Sequence, residues 1–271
     1  MRRILPLLAI LFLTSHAQAA IVQEPVDYQD GKTTLRGTLV YDNSLNSLRP
    51  GVVLFPEWWG HNDYIKRRAR ELAEAGYVAL AADVYGDAQV TEDPDVAQKW
   101  ATPFYENRAL MQSRAAAAIA TLRAQKNVDP AQIATIGFCF GGTVAIESAR
   151  AGDVVQGVVA FHAGLDFPTP PQANIKPKFL VLNGAADPLV PFATKQKFMD
   201  EMQNAGADVQ FIDYSGVLHA FTNPAADAYH AKGLTAVKYN GLAEARSMLA
   251  MRQFFAEIFT IPPSSTKSTG H

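Results

Sequence analysis

Residues 133–142 read IATIGFCFGG, an apolar and β-branched run that stops at Gly137 and continues into a glycine-rich turn. The pattern predicts a buried strand, a tight turn that carries Cys139, and a helix beginning near Thr143. In such a turn, a Cβ at a flanking glycine would crowd the neighbouring strand and helix. The turn leaves the thiol at a helix N-terminus, which favours thiolate, so Cys139 is a candidate nucleophile. The alternative is a small buried cysteine in a structural turn.

The amino terminus has the parts of a secretory signal peptide, namely a basic start, an apolar run over residues 4–13, and the small-x-small site Ala17-Gln18-Ala19. An apolar run of about ten residues is too short for a membrane span, which needs roughly 20. We therefore predict a signal peptide over residues 1–19, a mature chain that starts at Ala20 or Ile21, and a periplasmic or secreted location. A retained membrane anchor is the alternative.

The cysteine content supports a reactive role for the thiol. Cys139 is the only cysteine in 271 residues, so it has no partner for a disulfide within the chain. An exported protein enters an oxidising compartment, where a free thiol is exposed to oxidation. A cysteine that only filled space could be replaced by alanine or serine at little cost.

The overall composition is that of a globular protein. Hydrophobic residues make up 48% and charged residues 18%, with a formal net charge of -2. Beyond the leader there is no run of Lys or Arg, so neither nucleic acid nor a membrane is expected as a partner of the mature chain. The six histidines lack the spacing of metal ligands, and we predict no metal and no cofactor. The sequence leaves the oligomeric state open, with a monomer favoured.

Apolar runs alternate with helical patterns along the chain, after a hairpin over residues 21–41 that turns at Asp30-Gly31. This predicts an α/β fold, with a mostly parallel twisted sheet, helices on both faces and an N-terminal antiparallel hairpin. We expect one domain over residues 20–261 and a disordered tail over 262–271. The further strands are predicted at 51–55, 77–82, 133–137, 154–161, 179–183 and 209–214, and the other helices at 63–75, 103–125, 191–204 and 236–259.

A thiol nucleophile requires a base and a group that orients the base. His219 lies just past the last predicted strand, and Asp187 follows the strand at 179–183. Sites in parallel sheets collect at the carboxyl ends of strands, so both side chains are expected near Cys139. The order Cys139, Asp187, His219 is also the nucleophile–acid–histidine order of α/β-hydrolases. The alternatives are a satisfied loop histidine and a turn-capping aspartate, and we assign His230 to a solvated surface.

The loop after the strand at 51–55 reads PEWWGHN over residues 56–62. In this architecture that loop and the residue after the nucleophile each supply one backbone N–H of an oxyanion hole. We assign these donors to Trp58 and Phe140, each worth roughly 3–4 kcal/mol in the barrier. Glu57 is unexpected beside them, because a carboxylate repels developing negative charge. Its place between a buried strand and two tryptophans predicts a desolvated carboxyl near the thiol.

Together these residues resemble the dienelactone hydrolases (carboxymethylenebutenolidases), a family of α/β-hydrolases. The matching segments are PEWWG at 56–60, LAEAGY through DVYG at 72–86, GFCFGG at 137–142, GAADPLVP at 184–191 and HAF at 219–221. The resemblance implies a Cys-His-Asp triad of Cys139, His219 and Asp187. It also implies that Glu57 bonds the resting thiol and takes its proton when substrate binds, and that attack on the carbonyl gives a thiol acyl-enzyme.

The substrate of the family carries over less well. The resemblance implies arginines that hold the carboxylate of a dienelactone, one of them shortly after the catalytic histidine. Here no arginine follows His219 until Arg246, while Arg108 and Arg114 are candidates for another anchor. These departures, together with the signal peptide, favour a broader ester, lactone or thioester substrate.

We therefore predict an exported hydrolase of small esters or lactones. The alternative from another class is a non-catalytic protein that binds a small ligand or senses oxidation through its thiol. The complete set of Glu57, Asp187 and His219 favours the enzyme. A peptidase or an acyl transferase is the alternative among enzymes.

Overall fold

The computed structural model describes residues 21–260. The predicted signal peptide over residues 1–19 and the predicted tail over residues 262–271 lie outside this range. Within it, no helix is both long and apolar enough to cross a membrane.

The strands form one sheet. They are β1 Ile21–Asp30, β2 Thr33–Asp42, β3 Arg49–Phe55, β4 Val78–Ala81, β5 Val128–Phe138, β6 Gly157–Phe161, β7 Lys178–Gly184 and β8 Val209–Tyr214. The order across the sheet is β1-β2-β4-β3-β5-β6-β7-β8. The β1–β2 and β2–β4 pairs are antiparallel and all the others are parallel. The predicted mostly parallel sheet with a leading hairpin is confirmed.

Helices cover both faces of the sheet. They are α1 Asp63–Glu74, α2 Pro94–Glu106, α3 Arg108–Arg123, α4 Phe140–Arg150, α5 Phe192–Asn204, α6 Ala226–Ala231 and α7 Gly241–Ile258. Val53 and Phe55 of β3 belong to the core under α2 to α5, whereas Val52 and Leu54 belong to the core under α1 and α7. Burial on both faces explains why the parallel strands read as continuous apolar runs.

The single helix predicted over residues 103–125 is wrong, because two helices cover this segment. Asn107 has an extended backbone, with φ −127° and ψ 90°, and its side chain accepts the N–H of Leu110 to cap α3. The preceding helix begins earlier than predicted, where the Asp93 carboxylate accepts the N–H of Asp95 at 2.9 Å. The separate helix α2 carries Gln98 and Tyr105, which line the cavity described below.

The last helix begins at Gly241 rather than at residue 236 as predicted. Residues 236–238 instead hold the backbone of His219, whose N–H donates to the Ala236 carbonyl at 3.1 Å and whose carbonyl accepts from Lys238 at 3.0 Å. The strand predicted over residues 154–161 is shorter too, because Val154 is 79% exposed and lies outside β6. The segment over residues 236–238, which was predicted as helix, therefore holds the loop that carries His219 in place.

Candidate active site

Three predicted site residues meet at the carboxyl edge of the sheet. Cys139 directly follows β5, while Asp187 and His219 lie in the loops after β7 and β8. The Nδ1 atom of His219 is 2.7 Å from Oδ2 of Asp187, and both side chains are buried. The other carboxylate oxygen of Asp187 accepts the N–H of Leu189 at 2.8 Å, which fixes its orientation. The predicted acid–histidine pair is therefore present.

The turn at Cys139 is strained and tightly packed. Its backbone has φ 53° and ψ −119°, a conformation that few residues other than glycine adopt. The Cys139 N–H is held by the Phe161 carbonyl at 3.0 Å and by Nδ1 of His162 at 3.1 Å. A Cβ on Gly137 would lie 2.0 Å from the carbonyl oxygen of Gly141, so the strand and helix approach as the sequence predicted.

The imidazole of His219 is poised toward the thiol. Its Nε2 atom is buried and, among the described residues, has no aligned hydrogen-bond partner. Burial alone would lower the pKa of His219, but the neighbouring Cys139 sulfur and the Asp187 carboxylate outweigh burial and raise the pKa to about 10. The arrangement favours the protonated, cationic form of His219 beside the Cys139 sulfur.

Glu57 is buried, as the sequence predicted, at the end of β3. Its Oε2 atom accepts a hydrogen bond of 2.5 Å from the amide of Asn223. Burial raises the pKa of Glu57 to about 7, although the Asn223 bond and the charges of His219 and Arg68 act in the opposite direction. In the described structure the hydrogen-bond partner of this carboxyl is therefore Asn223, and not the thiol that the family resemblance implies.

The loop after β3 lies against the turn that carries Cys139. A Cβ on Gly141 would lie 2.2 Å from the carbonyl oxygen of Phe55, so the two backbones touch. Phe140 is the first residue of α4, where backbone N–H groups have no acceptor within the helix. Trp58, in the facing loop, lines the same cavity as Cys139. The assigned oxyanion donors, Phe140 and Trp58, thus belong to the two segments that meet at the thiol.

A cavity of about 290 Å³ opens onto these groups. Trp58, Trp59, Tyr105 and Tyr229 supply aromatic rings to its wall. The remaining lining residues are Glu57, Gln98, Cys139, Gly164, Leu189, Val190, His219, Ala220, Asn223, Ala226 and Val237. Trp59 stacks on Tyr229 with ring centroids 4.3 Å apart, so one tryptophan is both buried core and cavity wall.

Sequence reasoning missed His162, which lies behind Cys139. Its Nδ1 accepts the Cys139 N–H, so its Nε2 carries the proton and donates to Oγ1 of Thr222 at 2.8 Å. That hydroxyl is also 2.6 Å from the Tyr64 hydroxyl. Burial lowers the pKa of His162 well below its usual range, so the ring is neutral. Its place directly after the buried run of β6 is the sequence signal that could have identified it.

The other candidates lie away from the cavity. Arg108 donates to the Asp166 carbonyl at 3.0 Å, and Arg114 donates to the Val84 carbonyl at 3.1 Å. Neither these two arginines nor Arg246 is among the lining residues. His230 is half-buried rather than solvated, because its Nδ1 lies 2.8 Å from the Val237 carbonyl oxygen. Within residues 21–260, no group of three or more His, Cys, Asp or Glu could hold a metal ion.

Comparison with known proteins identifies the family of the chain. The model of the family described as "Dienelactone hydrolase family" matches residues 36–259. A protein of Aquifex aeolicus with the provisional name carboxymethylenebutenolidase is 33% identical over 184 residues, covering 64% of this chain and 77% of its own.

Solved structures agree with the family match. The structure named m3DLH has a TM-score of 0.85 and 42% sequence identity, over 89% of this chain and all 100% of its own. A second, from metagenomic libraries, is described as the dienelactone hydrolase-like promiscuous phosphotriesterase P91. It has a TM-score of 0.83 and 41% identity over 89% of this chain and 100% of its own.

Proposed function

Since this chain belongs to the dienelactone hydrolase family, we propose that it cleaves small esters or lactones with a triad of Cys139, His219 and Asp187. Its α/β-hydrolase fold and its character as a lactone or ester hydrolase follow from the family. The triad and a thiol acyl-enzyme are the further steps of the proposal. The observation that carries them is the 2.7 Å contact between His219 and Asp187, beside a nucleophile turn that opens into the cavity.

The proposed reaction begins with attack of the Cys139 thiolate on the substrate carbonyl. A carbon–sulfur bond forms, and the carbonyl electrons move to an oxyanion that the N–H groups of Phe140 and Trp58 stabilise. The carbon–oxygen bond then breaks, and the leaving oxygen takes the proton of the His219 imidazolium. His219 next deprotonates a water molecule, whose oxygen adds to the acyl carbon. The carbon–sulfur bond then breaks, which releases the acid and regenerates the thiolate. Asp187 keeps the imidazole oriented through both halves.

Glu57 enters the proposal as a carboxyl that exchanges a proton near neutral pH. Because its pKa is raised to about 7, the carboxyl can be uncharged while the oxyanion forms. It becomes charged when it gives up its proton. The bond from Asn223 holds this carboxyl at the cavity wall. Because its partner here is Asn223, direct proton exchange with the thiol requires the carboxyl to turn.

Export is also part of the proposal. The basic start, apolar run and Ala17-Gln18-Ala19 site support cleavage and a periplasmic or secreted location. N-terminal sequencing of the exported protein should begin at Ala20 or Ile21. An exported chain that retains residues 1–19 would contradict cleavage.

Hydrolysis of a p-nitrophenyl ester, before and after treatment with iodoacetamide, tests the triad. Activity should disappear in proportion to alkylation of one thiol, because Cys139 is the only cysteine. A mock-treated sample is the control. Activity that survives complete alkylation would exclude Cys139 as the nucleophile. Fast alkylation without turnover of any ester, lactone or thioester would instead favour a ligand-binding or thiol-sensing protein.

A further inference from the structure

We propose that this cavity selects substrates that carry no negative charge, namely uncharged esters or lactones with an apolar acyl group. The inference rests on the proposed function, because it names the substrate class of the same site. The inference goes beyond that function by excluding carboxylate-bearing esters and lactones as good substrates.

The walls of the cavity favour apolar, flat groups. Trp59 stacks on Tyr229, and Trp58 meets the edge of Trp59 with ring centroids 5.0 Å apart. Tyr105, from α2, and the aliphatic pair Leu189 and Val190 also line the cavity. Aromatic and aliphatic surfaces stabilise a ligand by excluding water from it. An ionised ligand group placed against them loses its hydration without compensation.

The charges inside the cavity disfavour an anion. Among the described residues, those that line it include no Arg and no Lys, but they do include the carboxyl of Glu57. The cationic form of His219 is engaged by Asp187 on one side and lies beside the Cys139 sulfur on the other. A second carboxylate would therefore enter next to Glu57 without an opposing charge of its own.

Arg108 and Arg68 are held by contacts within the protein and are not among the residues that line the cavity. The guanidinium of Arg108 lies 5.2 Å from the ring centroid of Tyr105 and donates to the Asp166 carbonyl. Arg68 lies behind the His219 loop, where it is paired with Glu71 and Glu244. Turning either guanidinium toward the cavity would break these contacts.

The test compares two acyl groups that differ in one charge. Mono-p-nitrophenyl glutarate carries a terminal carboxylate, and its methyl ester has the same chain without the charge. At pH 7.5 we expect kcat/KM to be at least about 10-fold higher for the methyl ester, a ratio equivalent to about 1.4 kcal/mol. Equal rates would overturn the inference but leave the proposed function standing. Hydrolysis of neither ester would overturn both.

A variant pair tests whether charge is the cause. Gln98 is exposed at the cavity and reaches Thr102 by a 3.0 Å hydrogen bond, so an arginine can be accommodated there. Gln98→Arg should reduce the preference for the methyl ester several-fold, whereas the uncharged control Gln98→Met should leave it near the wild-type ratio. An unchanged ratio in Gln98→Arg, or an equal change in both variants, would contradict selection by charge.

Discussion

The loop after β8, residues 215–225, has two sides that differ in their chemistry. Its front, with His219, faces a cavity whose described lining includes aromatic rings and a thiol but no Arg or Lys. Its back contacts Arg68 of α1, which donates to the Thr222 carbonyl at 2.8 Å and is buried against Glu71 and Glu244. The same short segment is therefore held by a charged network on one side and left free for reaction on the other.

The charged side of the loop explains how the loop is held in place. A buried guanidinium is costly unless it is paired, and here one of its NH2 groups donates to the Thr222 carbonyl and so holds the backbone of the loop that carries His219. Arg68 thus holds the loop that carries His219 and is not among the residues that line the cavity. Variants on the front should change the chemical step, and variants on the back should change stability first.

The largest expected effect is on the front. Cys139→Ala should reduce kcat by about 10⁴-fold or more, since it removes the nucleophile. His219→Ala should cost nearly as much and Asp187→Asn somewhat less. Circular dichroism and the urea midpoint should show that Cys139→Ala is folded. A variant with wild-type turnover would disprove the proposed mechanism.

On the back, Arg68→Met should destabilise the protein by about 1.5–3 kcal/mol, because it removes the buried guanidinium that donates to the Thr222 carbonyl and to the half-buried carboxylate of Glu244. Urea unfolding measures this loss. The control is Arg70→Met on the same helix, where an exposed pair with Glu74 is worth about 0.5 kcal/mol or less. Equal effects of the two substitutions would show that the buried network does not hold the loop.

Glu57 should make the stability of the protein depend on pH. Burial raises its pKa from the usual 4.5 to about 7 in the folded protein, so the folded state binds more protons than the unfolded state between these two pH values. The contribution of this carboxyl to stability is therefore highest at low pH and falls as pH rises through that window. Relative to wild type, Glu57→Gln should be more stable at pH 8 than at pH 5, by up to about 3 kcal/mol.

Urea unfolding at the two pH values tests this expectation, with Glu74→Gln on the surface of α1 as the control. A Glu57→Gln variant whose stability follows the wild-type pH dependence would contradict it. Activity of the same variant against pH shows separately whether the carboxyl takes part in proton transfer.

The smallest expected effect comes from His162, which lies behind Cys139 and accepts its backbone N–H. His162→Leu removes one of the two acceptors of the Cys139 N–H and should lower kcat by about 10- to 100-fold, with little change in KM. His162→Asn should recover much of this loss, because its side-chain oxygen can accept the same bond. Similar kcat values for the two variants would mean that His162 only fills space.

The sequence predicted those parts of the site that depend on local pattern. The glycines around Cys139 and the β-branched run before it require one particular turn, and strand ends place Asp187 and His219 at one edge. The position of the loop that carries Glu57 was predicted in the same way, from the end of the preceding strand. Each of these rests on residues close together in the chain.

What the sequence did not predict depends on contacts between distant segments. His162 and Thr222 are joined by a hydrogen bond across 60 positions, and Asn223 reaches Glu57 across 166. The break at Asn107 was hidden by a continuous helical pattern on both sides, with the alanine run after it. Asparagine can end one helix and cap the next, and propensity alone does not show which it does.

The close packing of glycines around Cys139 has a consequence for directed evolution. A Cβ would lie 2.0 Å from a backbone atom at Gly137 and 2.2 Å from one at Gly141. Libraries that randomise these positions should therefore return mostly unfolded chains. The walls from α2 and α6 are side chains of separate segments, such as Tyr105 and Tyr229. Diversity placed there can change the range of accepted molecules while the turn that carries Cys139 stays fixed.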